Sequence, residues 1–397
     1  MAKENRSCGY TSGEYIFFGA LGLYLLSALS EYIFIVAQME QESGMLERIF
    51  RYLQYTAYFT CLLKYIFGGS YNQKRICRFL LAGLVTLASF ICSSNKLMFL
   101  WVIFLTGAER ISSEKLIKFV VTVQSTFLAV VVVLSEVGVI PDYVRVESNR
   151  IRHCLGFNWV TVGPILYFYI VLEYLFLKKG KLRVWEYAGL LGIDYYLYVM
   201  TRTRMAFALS AVFLTFFFLF GKKIQNGWIV RKTRGLFRLS PFLIAGIAIG
   251  LHMFYDHKSR AWNLLNQFFN TRLALGYNAI QTYGLKLFGQ KIKFVGFSLF
   301  QENSAVYNFV DSSYVKLALE YGIIFLLLVL LAYRIIMKYA MIHEKYYLCW
   351  IILFVLVFGI SEPRLVNMMF NPFLMLCVTE SVERDQSRSK INRGGTM

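Results

Sequence analysis

The sequence predicts an all-α polytopic membrane protein, one integral-membrane domain over 1–397 with about twelve transmembrane helices. Two observations predict it. Of 397 residues, 57% are hydrophobic and 16% charged, and the apolar residues come in runs long enough to cross a hydrocarbon core of about 30 Å as helix. The strict alternation that an outer-membrane barrel needs is missing, and soluble classes would interleave polar faces.

In chain order the runs place spans at approximately 14–38, 47–69, 76–93, 96–108, 116–138, 158–177, 185–200, 205–220, 240–255, 313–333, 347–361 and 364–380. The opening "MAKENRSCGYTSGEY" offers no small-residue cleavage site after a short apolar core, so the first run reads as a retained anchor. With the N-terminus inside, Lys74, Arg75 and Arg78, then Lys178, Lys179, Lys181 and Arg183, then the cluster from Lys222 to Arg238, then Arg334, Lys338 and Lys345 all fall in the cytoplasm. That is the side the positive-inside rule assigns to short basic loops. The tail 381–397 reads as a solvated cytoplasmic end. The net charge of +19 is then topology and contact with membrane lipids, not a nucleic-acid surface, because the basic residues alternate with spans. The seven cysteines sit mostly inside apolar runs and form no legible disulfide framework.

Three outer loops break the charge rule. The loop of about 139–157 holds Arg145, Arg150, Arg152 and His153, the turn "TRTR" holds Arg202 and Arg204, and the large extracytoplasmic loop 256–312 holds Arg260 and Arg272 with several lysines. Arginine outside hinders insertion without serving orientation, so its concentration there points to an anionic ligand. Binding of outer-leaflet headgroups is the plainer alternative.

Most connections are short, which makes the large loop the place to look for function. Within it Trp262, Leu265, Phe269, Leu273, Tyr277 and Ile280 recur at three or four residues, the apolar face of an amphipathic helix or helix pair, and Gly284 and Gly289 stop it. The segment is expected to lie at the interface. It ends in "VDSSYVKLALEYG", where Asp311 suits an N-cap, a general base, or a partner for an arginine. The last outer turn, "GISEPRLVNMMFNP", sets Glu362 and Arg364 about Pro363 as an Arg–Glu pair in a tight hairpin, or with Glu362 facing the same cleft.

The chain has no D-x-D motif and no Walker loop, and its histidines (153, 252, 257 and 343) show no metal-ligand spacing, so neither metal nor cofactor is expected. What remains outside is guanidinium, a few carboxylates (Asp311, Glu302, Glu362) and His153. Arginine's fork matches phosphate oxygens, which makes a lipid-linked phosphate or pyrophosphate the expected ligand.

Four stretches, "RIRHCLGF", "YYLYVMTRTRMAF", "LNQFFNTRLALGYNAIQTYGLKLFG" and "VDSSYVKLALEYGII", stand in an order that resembles the Wzy-type repeat-unit polymerases of capsule and O-antigen synthesis, and more distantly the O-antigen ligases. The resemblance covers most of the chain from about residue 90 onward. It departs from the family at "GFNWVTVGP", where a proline–asparagine type pair is usual, and at Thr201, Arg202, Thr203, where S-R-T is usual. It implies a GT-C-like fold in the bacterial cytoplasmic (inner) membrane and a metal-independent glycosyltransferase with undecaprenyl pyrophosphate as leaving group. The growing glycan would pass to the terminal sugar hydroxyl of an undecaprenyl-pyrophosphate-linked oligosaccharide, with a flippase and a chain-length regulator as further partners. On this reading Arg152, Arg204, Arg260 and Arg272 contact pyrophosphate, Arg150 and Arg202 support them, and Asp311 or His153 is the base. Tyr277, Tyr283 and Tyr314 are candidates for sugar contacts. The alternatives are a flippase for the same lipid-linked glycan, a ligase-type transferase, or a non-catalytic scaffold.

Overall fold

The computed structural model describes residues 11–68, 73–147, 150–296 and 307–379. Glu302, part of the large loop and the tail 381–397 lie outside the described residues. The helices in the first half are α1 (Ser12–Ser30), α2 (Phe34–Ser43), α3 (Met45–Gly68), α4 (Gln73–Ser93), α5 (Leu97–Gly107) and α6 (Ser113–Glu136). A hairpin, β1 (Val144–Glu147) and β2 (Arg150–His153), leads to α7 (Val162–Leu177), α8 (Val184–Thr201), α9 (Arg204–Asn226), α10 (Trp228–Lys232) and α11 (Arg234–Met253). The amphipathic pair α12 (Arg260–Phe268) and α13 (Arg272–Tyr283) follows, then α14 (Ser313–Glu320), α15 (Ile323–Ile342), α16 (Tyr346–Phe358) and a 3-10 helix, Pro372–Val378.

The protein is a helical, multi-pass membrane protein. Among the described residues α1, α4, α6, α9, α11 and α15 are long and apolar enough to cross a bilayer, and α5, α7 and α16 are shorter apolar helices. The exposed sides of α4 and α9, with Leu80, Leu81, Leu84, Val212 and Leu219, carry large apolar residues suited to lipid. α7 is apolar all round and almost wholly buried, which makes it the central helix. It packs against α6, α8, α9 and α16.

Three expected spans are interrupted. The first run breaks between α1 and α2, where Ile33 bridges Phe157, Phe34 N–H donates to the Gly156 carbonyl (2.9 Å) and Asn158 N–H donates to the Tyr32 carbonyl (2.8 Å). Asn158 also donates its side-chain amide to the Glu31 carbonyl, so it ties the segment after β2 to the end of α1. The run 313–333 breaks at Gly322, whose φ of 93° and close approach to the Leu287 carbonyl leave no room for a Cβ. The run 364–380 is not an α-helix: it is buried turn followed by 3-10 helix. Pro372 starts that helix, and Asn371 caps it by accepting from Phe373 N–H.

The long segment seats on the bundle through α13. At Gly276 an added Cβ would stand 2.0 Å from the His252 ring, so α13 lies flush on α11.

Candidate anion-binding cleft

A cleft of about 440 Å³ opens at one end of the bundle, within the size range of small-ligand sites. Six arginines line it: Arg150, Arg152, Arg202, Arg204, Arg272 and Arg364, together with the carboxylates Asp311 and Glu362. Trp159, Tyr307 and Phe309 supply aromatic faces, and Thr203, Asn270 and Thr271 supply polar groups.

Strand parity places the first two arginines. Arg150 and Arg152 occupy alternate positions of β2, so they share a face, while Ile151 and His153 take the other. Arg152 Nε donates to the Thr201 carbonyl at 2.9 Å, which pins the hairpin to the end of α8. Arg145, opposite Arg152 in the ladder, stacks on the Trp159 ring at 4.8 Å.

The "TRTR" turn divides its labour by residue type. Thr201 and Thr203 are buried; Thr201 Oγ1 donates to the Leu197 carbonyl (2.7 Å) and accepts from Thr203 N–H (3.3 Å). Arg202 and Arg204 between and after them are exposed to the cleft, and neither forms an ion pair with a described residue. Arg202 ends α8 in the left-handed region at φ 52°.

Arg204 and Arg272 are the first residues of α9 and α13. A cation there opposes the helix dipole, so these positions weaken the helices they begin. They do, however, put a guanidinium beside backbone N–H groups at two helix N-termini facing one cleft, an arrangement suited to an anion. The corner before Arg272 is strained: Asn270 (φ 50°) and Thr271 (φ 65°) are consecutive left-handed residues, and a β-branched side chain there is costly. Buried Asn266 holds the corner, its Oδ1 accepting from Ala274 N–H (3.1 Å) and its Nδ2 donating to the Tyr255 hydroxyl (3.3 Å).

The turn after α16 forms the floor. Arg272 Nη1 donates to the Ser361 carbonyl, and Arg272 Nε lies 3.4 Å from Asp311 Oδ2. Arg364 pairs with Glu362 and stacks on Phe370 at 4.4 Å, the Arg–Glu pair expected of this hairpin. Ser313 Oγ donates to the Glu362 carbonyl and accepts from Leu365 N–H (3.1 Å), joining α14 to the same turn. Burial holds the Asp311 carboxyl above the ordinary Asp range, with Arg272, Lys316 and Arg364 pulling the other way. Burial raises Glu362 likewise against Arg364 and Arg272, and the Tyr307 phenol is pushed up to about 12 by burial and by Asp311.

Neither family models, curated proteins nor solved structures gave a match to this chain.

Five of the six arginines singled out from sequence therefore meet in one cleft, and Arg260 does not: it begins α12 at an exposed position away from the lining. Of the two candidate bases, Asp311 lines the cleft. His153 faces the other side of β2, with Nδ1 2.5 Å from Asp142 Oδ2, while Asp142 Oδ1 accepts from Leu155 N–H. Asp311 is not the N-cap it resembled; Ser312 holds that position before α14. Tyr314 is fully buried, donates to the Leu356 carbonyl at 2.7 Å and does not line the cleft. Tyr277 packs edge-on against Tyr255 and does not line the cleft; Tyr283 does not line it either and accepts from Asn308 Nδ2 (3.1 Å). Sequence reasoning missed Tyr307, Phe309 and the cleft-facing part of Arg364. Among the described residues no cluster of metal-ligating side chains occurs.

Proposed function

We propose that the cleft binds the pyrophosphate of a polyprenyl-linked glycan and that the protein is a polysaccharide polymerase. A growing chain is transferred from its lipid pyrophosphate to a sugar hydroxyl of a lipid-linked repeat unit, as the resemblance to Wzy-type polymerases implies. The observation that carries the reading is the convergence of six guanidinium groups from four separate parts of the chain on one cleft that also receives two helix N-termini.

Cleavage of the anomeric bond leaves negative charge on the departing pyrophosphate. Arginines fixed in advance around that charge stabilise the transition state without reorganising. The assignment gives Arg202, Arg204 and Arg272 direct contacts, with Arg150, Arg152 and Arg364 beside them. Asp311 receives the acceptor's hydroxyl proton: burial makes it a stronger base than an exposed carboxylate, while Arg272 favours its ionised form. Trp159, Tyr307 and Phe309 offer faces for sugar rings. The opposite bundle end carries Lys178, Lys179, Lys181, Lys222 and Lys223, which supports a cytoplasmic assignment for that end and an extracytoplasmic one for the cleft under the positive-inside rule.

A second reading, transport of the same lipid-linked glycan, draws on one observation: Glu173 is a fully buried carboxyl inside the bundle. Complementation of a strain lacking the gene, with glycan length read on a gel, separates the two. Single repeats without a ladder in the deletion support polymerisation. Accumulation of unflipped lipid intermediates supports transport instead.

A further inference from the structure

Glu173 lies in α7, the helix whose approach segment lines the cleft at Thr161. At 1.5 Å per residue it sits about 16 Å along α7 from Val162 and about one helical turn before the last residue of the helix, Leu177. The residue is wholly buried, and neither carboxyl oxygen has a hydrogen-bond partner.

The polar side chain beside it is Gln124 of α6, also wholly buried. Gln124 Nε2 donates to the carbonyls of Met369 (2.8 Å) and Phe370 (3.3 Å), in the turn where the last span was expected. Those two bonds also fix the amide, because a flip would turn Oε1 toward two carbonyls. Gln124 Oε1 has no partner of its own. Glu173 and Gln124 thus place three acceptor oxygens without a hydrogen-bond partner in the core.

Such a set is satisfied by a cation. Hard metal cations gather six or more oxygens, more than the pair presents. A single proton needs two. An ionised carboxylate without donor or counter-charge is the costliest group a bundle core can hold, whereas the undissociated acid is both neutral and a donor. We propose that Glu173 is a proton-binding site: the carboxyl resides in the bundle as the undissociated acid, its O–H supplying the donor that Gln124 Oε1 lacks.

The test is the infrared spectrum of purified protein in lipid nanodiscs at neutral pH. Wild type minus Glu173→Gln is expected to contain the carbonyl band of an undissociated carboxylic acid. The variant is expected to unfold at the wild-type temperature, since a neutral amide replaces a neutral acid of the same shape. A difference spectrum without that band, or with a carboxylate band in its place, overturns the proposal. So does a wild-type unfolding temperature that rises when sodium chloride replaces choline chloride while Glu173→Gln does not respond, which marks a metal ion as the partner. If Glu173→Gln does not fold, Glu173→Asp takes its place: the acid band is expected to shift in frequency, and an unmoved band overturns the assignment.

Discussion

Arg272 Nε stands 3.4 Å from Asp311 Oδ2, and the same guanidinium donates through Nη1 to the Ser361 carbonyl. One fork thereby joins the start of α13, the residue before the α14 cap and the turn after α16. A lysine keeps the charge but lacks the rigid planar fork that reaches both partners at once. Arg272→Lys is expected to reduce polymer yield by about 10²–10³-fold at unchanged protein level, the order seen when one preorganised donor is lost, and a glycan ladder on a gel reads it.

Asp311 carries two pH consequences of opposite sign. Its folded-state carboxyl is raised above 3.8 chiefly by burial, so the ionised form is disfavoured by the fold. The stability Asp311 subtracts is therefore present above the raised value, diminishes as pH falls through it, and is gone below 3.8. If Asp311 is the base of the proposed transfer, activity runs the other way, because the base must be ionised, and is expected to fall over that same interval. Asp311→Asn is expected to abolish the acid limb of the rate profile and lower turnover by about 10²–10⁴-fold. An unchanged acid limb in the variant would remove Asp311 from the role.

The strained corner before Arg272 trades stability for geometry. Thr271 in the left-handed region costs roughly 1–2 kcal/mol, more than the about 0.5–1 kcal/mol of chain entropy that a glycine adds. Thr271→Gly is thus expected to be at least as stable as wild type in thermal unfolding while making less polymer. Asn266→Ala removes the acceptor for Ala274 N–H and is expected to cost about 1 kcal/mol and to lower polymer yield with it.

Much of this site was legible because arginines concentrated in loops that the positive-inside rule would keep poor in them are conspicuous. "RIRH" and "TRTR" announced the cleft, and the amphipathic spacing around Phe269 announced the α12 and α13 pair, although the break at Asn270 and Thr271 depends on backbone strain that spacing does not encode. His153 was misplaced because 139–157 was read as loop: as a strand, its parity sets His153 opposite Arg152. Arg260 and Arg272 look alike in sequence, and only the turn between their helices separates them. The interruptions at Ile33 and Gly322 follow single charged residues, Glu31 and Glu320, which hydropathy averaged over a long apolar run passes over, and Arg364 looked fully spent on Glu362 until the floor of the cleft was built.

Arg260 serves as an internal control. It is exposed and lies outside the lining, so Arg260→Gln is expected to leave glycan length at wild type. A strong defect there would relocate the site toward the membrane surface.

Binding of inorganic pyrophosphate to purified protein in nanodiscs, followed by calorimetry, tests the central claim most directly. Wild type and Arg260→Gln are expected to bind alike, while the Arg202→Gln/Arg204→Gln double variant loses about tenfold or more, the weight of one or two charge-assisted hydrogen bonds. Equal affinity in all three proteins, or no binding by wild type, would contradict an anion site in this cleft.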